Sequence, residues 1–230
     1  MAVNRPRRVE RSSLGSQVAE QLRNDIIFGR LPAGTAVSQQ QLCEDYGTSR
    51  MPVRDAIRQL QYEGLIVNTD GGHHVVAEQT AQDMSDAYRV EAMVHGLAAR
   101  RATELATESD LDQLEQLHRS MVKAVEEDDL EAVVELNWRF HRQINKMARS
   151  AKLMAIIRSV SLSIPRGYLL ELPGWANRAN MDHELIIEAM RARDVDRVVE
   201  LIGSHIEEAG ENLIRYLETR SEPEEVQALP

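Results

Sequence analysis

The chain has 230 residues, of which 43% are hydrophobic, 28% charged and only 4% aromatic, a mix that builds a globular aliphatic core and excludes a disordered chain or a disulfide-stapled miniprotein. No run approaches the roughly 18 apolar residues of a spanning helix, and the single cysteine, Cys43, makes no internal disulfide, so a cytoplasmic protein with no membrane partner is expected. The net charge of −10 argues against nucleic acid until it is divided: residues 1–78 hold nine arginines and nine acids, the remainder 18 basic and 28 acidic residues, so a neutral, arginine-clustered segment precedes an acidic body.

After a basic arm over residues 1–12, Leu14, Val18, Leu22 and Ile26 recur every four positions and predict a helix over 13–28 that ends at Gly29. A second helix is expected from the cap Ser38 to Tyr46. Ser49 is the expected cap of a third, with Pro52 in its first turn and Gly64 as its stop. Leu65–Val67 and His74–Val76 then flank Asn68-Thr69-Asp70-Gly71-Gly72 as a short hairpin. Three helices and a two-stranded wing make the winged helix-turn-helix pattern, assigned to residues 13–78. From 79 to 220 only helical periodicity remains, with helices expected over 80–104, 108–127, 129–148, 150–171, 178–192 and 194–219 as an antiparallel bundle. Residues 221–230 are acidic and proline-flanked, which predicts a disordered tail. The fold class is therefore mainly α.

In the third helix Val53, Ala56, Ile57 and Leu60 form the apolar stripe, and Arg50, Arg54 and Arg58 line an adjacent face. Spacing alone allows a solvated charged face. It also allows a helix that enters the major groove, where a guanidinium matches the paired acceptors of guanine. Gly29-Arg30-Leu31-Pro32-Ala33-Gly34, Gly47-Thr48-Ser49-Arg50-Met51-Pro52-Val53-Arg54-Asp55-Ala56-Ile57, Leu60 and Glu63-Gly64-Leu65-Ile66 resemble the DNA-binding domain of GntR-family transcriptional regulators over residues 14–78. The resemblance implies a homodimer on a two-fold symmetric double-stranded DNA operator. Arg50 and Arg54 then become groove residues, with Arg58, Ser49 and Gln40 beside them and Gly72 and His73 in the wing. The second helix presents Gln39, Gln40 and Gln41 where some relatives place an arginine.

Polar residues interrupt three apolar stripes of the helical body. Asn137 and His141 sit one turn apart among Val133, Val134 and Ile144; His183 leads Ile186, Ile187 and Met190; His205 lies within Val198, Leu201, Ile202 and Ala209. Each imidazole alone reads as a hydrogen-bonded core residue. Three imidazoles and an amide oxygen also suit a divalent ion such as zinc, nickel or manganese, with positions open to a small oxygen ligand. Asn137-Trp138-Arg139-Phe140-His141, His183-Glu184-Leu185-Ile186-Ile187 and Gly203-Ser204-His205 are similar to the metal-containing helical effector domain (FCD) of the FadR-type subgroup, over residues 80–219. That similarity implies metal ligands at Asn137, His141, His183 and His205. It also implies an effector that is an organic acid or another oxygen ligand, near Glu91 and His95, which share the stripe Met84, Ala87, Tyr88, Ala98.

The expected function is a ligand-responsive repressor of a catabolic or transport operon. A metal-free relative taking an apolar or acyl effector and a metalloenzyme are the alternatives. His118 reads as an edge residue, His73 and His74 as loop residues, and Trp138 and Trp175 as packing anchors.

Overall fold

The computed structural model describes residues 14–161, Leu169, Leu172 and 174–221. The basic arm and all of the proposed tail but Ser221 lie outside these. The chain divides into two compact units between Gln79 and Thr80.

In the first unit, α1 (Leu14–Ile27), α2 (Gln39–Asp45) and α3 (Arg50–Tyr62) precede an antiparallel pair, β1 (Ile66–Asn68) and β2 (His74–Val76). Helix α1 packs chiefly on α3. Val18, Leu22 and Ile26 meet Val53, Ala56, Ile57 and Leu60 in one buried aliphatic core, so both periodic stripes face the same interior. A bidentate pair joins the two helices: Arg23 Nε and Nη2 donate to the two carboxylate oxygens of Glu63, at 2.8 Å each. Gly64, at φ +76°, supplies the left-handed residue that ends α3. The amide of Leu65 donates back to Leu60 O at 2.9 Å and that of Gly64 to Gln61 O, the double bond of a Schellman stop.

That stop corrects the bounds expected for the first strand, Leu65–Val67. Leu65 is consumed in closing the helix, so the ladder begins at Ile66 and pairs Asn68 with His74. His74 is accordingly a strand residue, and its Nδ1 lies 2.7 Å from Asn68 Oδ1. A further bridge ties Ala36 to Val75.

The second unit contains α4 (Ala81–Leu105), α5 (Glu108–Glu126), α6 (Leu130–Met147), α7 (Ala151–Ser161), α8 (Trp175–Arg191) and α9 (Val195–Ser221). Reciprocal capping boxes, Thr80 with Asp83 and Thr107 with Asp110, start α4 and α5, and the Asp129 carboxylate caps α6. Helix α7 is described as far as Ser161, and the remainder of the helix expected over 150–171 lies, apart from Leu169, outside the described residues. Helix α8 starts three residues earlier than expected, from Gly174 at φ +76°.

Helix α4 packs mainly on α9, α5 on α6, and α8 on both α5 and α9. The α4–α9 approach is close where small residues meet it: Gly96 of α4 lies against Val199 of α9, and Gly210 of α9 lies against Tyr88 of α4. A Cβ at Gly210 would fall inside van der Waals contact of Cβ, Cγ and Cδ2 of Tyr88. Gly210→Ala is therefore expected to destabilise this unit by about 1–3 kcal/mol, the usual result of overpacking, read as a lower midpoint in thermal denaturation. An unchanged midpoint would mean the two helices separate freely there.

Candidate DNA-reading helix and histidine centre

On α3 the sequence pattern becomes a geometry. Arg50, Arg54 and Arg58 are all exposed, and among the described residues no carboxylate engages their guanidinium groups. The other two arginines among the described residues of the unit behave differently: Arg23 is held by Glu63, and Arg30 Nε donates to Asp25 Oδ1 at 2.6 Å. Arg23 and Arg30 thus carry a partner that ties them to the fold, whereas the five donors of each α3 arginine meet none among the described residues. Ser49 stands at the N-cap with extended backbone, but its side chain makes no capping bond. This corrects its expected capping role and leaves the hydroxyl exposed at the helix entrance.

Gln39 Nε2 donates to Arg50 O at 2.8 Å, fixing the first turn of α3 to α2. Gln40 is exposed and its amide reaches Glu44 at 3.3 Å. In the wing, Gly72 adopts φ +75° and its amide donates to Thr69 O at 2.8 Å, turning exposed His73 outward at the tip.

In the helical unit, α6, α8 and α9 bring His141, His183 and His205 together, each offering a ring nitrogen within 4.8 Å of the others. His141 Nε2 and His205 Nε2 are 3.2 Å apart. His205 Nδ1 lies 2.9 Å from Asp182 Oδ2. With a carboxylate as acceptor Nδ1 carries the hydrogen, and the Nε2 lone pair is aimed at the cluster. His183 is fully buried, lies flat on Phe140 with ring centroids 3.8 Å apart, and has no hydrogen-bond partner at either nitrogen. Asn137 Oδ1 is likewise buried without a partner. Burial, reinforced by the neighbouring imidazoles, holds His141 and His183 well below the usual histidine range, so both are neutral with a lone pair to offer.

These features fit a divalent ion. Ring nitrogens about 2.1 Å from one ion stand about 3.0–3.4 Å apart, which matches the His141–His205 spacing. Buried polar atoms without partners are rare unless something else satisfies them. His118 is more than an edge residue: its Nδ1 is buried without a hydrogen bond, its ring centroid is 6.4 Å from that of His183, and burial lowers its pKa.

A cavity of about 60 Å³ opens beside the histidines, walled by Glu91, His95, Asn137, His141 and His205, with Tyr88, Trp138 and Trp175 as aromatic sides. The two tryptophans thus line a cavity as well as packing. Glu91 Oε1 accepts from Ser161 Oγ at 2.5 Å. It also lies 3.5 Å from His95 Nε2, a contact too loose for a hydrogen bond, and that nitrogen is buried without a partner.

Residues 14–76 match the model of the bacterial regulatory proteins of the gntR family, and residues 86–208 match that of the FCD domain. The chain belongs to the GntR family, with an FCD domain. This GntR regulator is 27% identical over 216 residues to the HTH-type transcriptional repressor RspR of Escherichia coli (strain K12), covering 91% of this chain and 92% of that one. It is 23% identical over 203 residues to a probable D-xylose utilization operon transcriptional repressor of Paenarthrobacter nicotinovorans, covering 87% and 88%. Among solved structures, E. coli McbR/YncC shares the fold at a TM-score of 0.66 and 22% identity, over 92% of this chain and 100% of that one. The GntR regulator is thus a DNA-binding transcriptional regulator with a winged helix-turn-helix and an all-helical domain. Among the described residues no helix is long and apolar enough to cross a membrane.

The sequence reading of this regulator missed Asp182 and Ser161. Asp182 adjoins His183 and so falls off the apolar stripe, and Ser161 is the last residue of α7, 70 positions from the carboxylate it meets. Only an Asp beside a stripe histidine hinted at a partner for another imidazole.

Proposed function

We propose that the regulator is a cytoplasmic homodimeric repressor of a catabolic or transport operon, whose operator affinity changes when a small oxygen-bearing effector enters the cavity at the histidine centre. The observation that carries the reading is the convergence of three imidazoles from three helices, one of them fully buried with both nitrogens unpartnered. Asn137, His141, His183 and His205 would hold a divalent ion of the zinc, nickel or manganese type. When bound, such an ion supplies a positive coordination position for an effector oxygen. The amide of Asn137 makes a weaker ligand than a carboxylate would. Asp182 fixes the His205 tautomer, Phe140 fixes the His183 ring plane, and Glu91 and His95 contact the rest of the effector.

For DNA, Arg50 and Arg54 read base edges, Arg58 and Ser49 meet phosphates, and Gln40, Gly72 and His73 approach the backbone beside the groove. An effector shifts the affinity only if it binds the DNA-competent and the released arrangements unequally. The two relatives described as repressors support the sign of regulation.

One winged helix offers too few base contacts for tight selection, so two copies must act on paired half-sites. Operator fragments recovered by the protein from genomic DNA should show, on footprinting, two-fold symmetric protection, and sedimentation should give a dimer. A monomer at full affinity on one half-site contradicts the proposal.

A further inference from the structure

We infer that Glu91 sets the chemical class of the effector: it selects a molecule that presents a hydroxyl group at the α4 wall of the cavity and rejects one that presents a carboxylate there. The inference rests on the reading of this cavity as the effector site and adds what the site accepts.

Glu91 is only 5% exposed, yet its described contacts are all made by Oε1, one hydrogen bond from the neutral Ser161 hydroxyl and the loose approach of His95. No lysine or arginine is among the described residues of the cavity wall. A buried carboxylate with so little compensation is costly unless something that enters the cavity donates to it. An incoming carboxylate fails, because it would place like charges together at low dielectric. A cationic group would suit Glu91, but the opposite wall is the proposed cation centre.

A hydroxyl meets both requirements of the α4 wall. Its hydrogen goes to Glu91, and its oxygen accepts from His95 Nε2, the buried nitrogen without a partner. Tyr88, Trp138, Trp175, Ile206 and Ala209 supply apolar and aromatic sides for the C–H faces of a short carbon chain. The effector that fits is a small hydroxylated acid or polyol, with one oxygen end at the histidines and a hydroxyl end at Glu91.

The test is calorimetric titration of the full-length protein, as purified with its metal, against ladders of equal chain length: glycerate, erythronate and arabinonate against malonate, succinate and glutarate. The best hydroxylated probe should bind at least about tenfold more tightly than its dicarboxylate counterpart, the scale of one hydrogen bond to a charged group. Glu91→Gln should remove most of that preference while leaving metal content and ligand-free operator binding unchanged. Glu91→Arg should reverse it, and Ser161→Ala, which leaves the carboxylate in place, should keep it. A dicarboxylate bound as tightly by the wild type, a preference unaltered in Glu91→Gln, or no heat from any hydroxylated probe overturns the inference. His183→Ala separates the two readings. If it abolishes all binding while the wild type prefers dicarboxylates, the histidine centre stands and the role of Glu91 falls. If it changes nothing while Glu91→Gln still erases the preference, the reverse holds.

Discussion

Replacing Arg50 and Arg54 together by alanine is expected to weaken operator binding by about 2–6 kcal/mol, since each bidentate base contact is worth about 1–3 kcal/mol. Thermal stability should hardly move. Both side chains are exposed and lack partners among the described residues, so removing them strands no buried carboxylate. Arg23→Ala provides the contrast within the same unit. It would leave Glu63 buried without its bidentate partner and cost about 3–5 kcal/mol of stability, with DNA binding lost only through unfolding. Band-shift titrations over a range of salt, paired with circular dichroism melts, distinguish these cases. Loss of a base contact relaxes sequence preference, whereas loss of a phosphate contact such as that proposed for Arg58 lowers affinity evenly and flattens the salt slope. Unchanged affinity in the double variant would remove α3 from the groove.

The contrast between Arg23 and Arg54 also marks how far the sequence could be read. Stripes at 3.6-residue spacing placed α1, α3 and the helices of the second unit other than the end of α7 to within a few residues, because burial imposes that period directly on the chain. Caps and glycine stops were legible for the same local reason. Pairings across space were not. Nothing local assigns Arg23 to Glu63, 40 positions away, and leaves Arg54 without a partner among the described residues, or joins His205 to Asp182. The first strand lies one residue later than expected because a Schellman stop and a strand start compete for Leu65, and the stop prevailed through its two hydrogen bonds. The histidines were legible because an imidazole on an apolar stripe breaks a pattern. Asp182 was not, because an acid on a partly exposed face breaks none.

His183→Ala carries the largest expected effect on regulation. The fully buried ring faces the other two imidazoles, both nitrogens lack hydrogen bonds, and burial keeps it neutral. As a metal ligand, its removal leaves Asn137, His141 and His205, lowers metal affinity by about tenfold or more, and abolishes the effector's influence on DNA binding. Ligand-free operator binding should persist, because the winged helix-turn-helix folds around its own core. A histidine that only packs gives another result. The vacated volume against Phe140 would cost about 1–3 kcal/mol of stability, metal content would not change, and the effector response would survive. His183→Gln, which keeps most of the volume and a polar atom, separates lost packing from lost coordination. Elemental analysis of untagged protein, run beside band shifts with and without added divalent ion, reads both quantities in one series. A metal-free wild type that still releases its operator on effector addition would show that these imidazoles serve packing, because no ligand would then have been lost with His183.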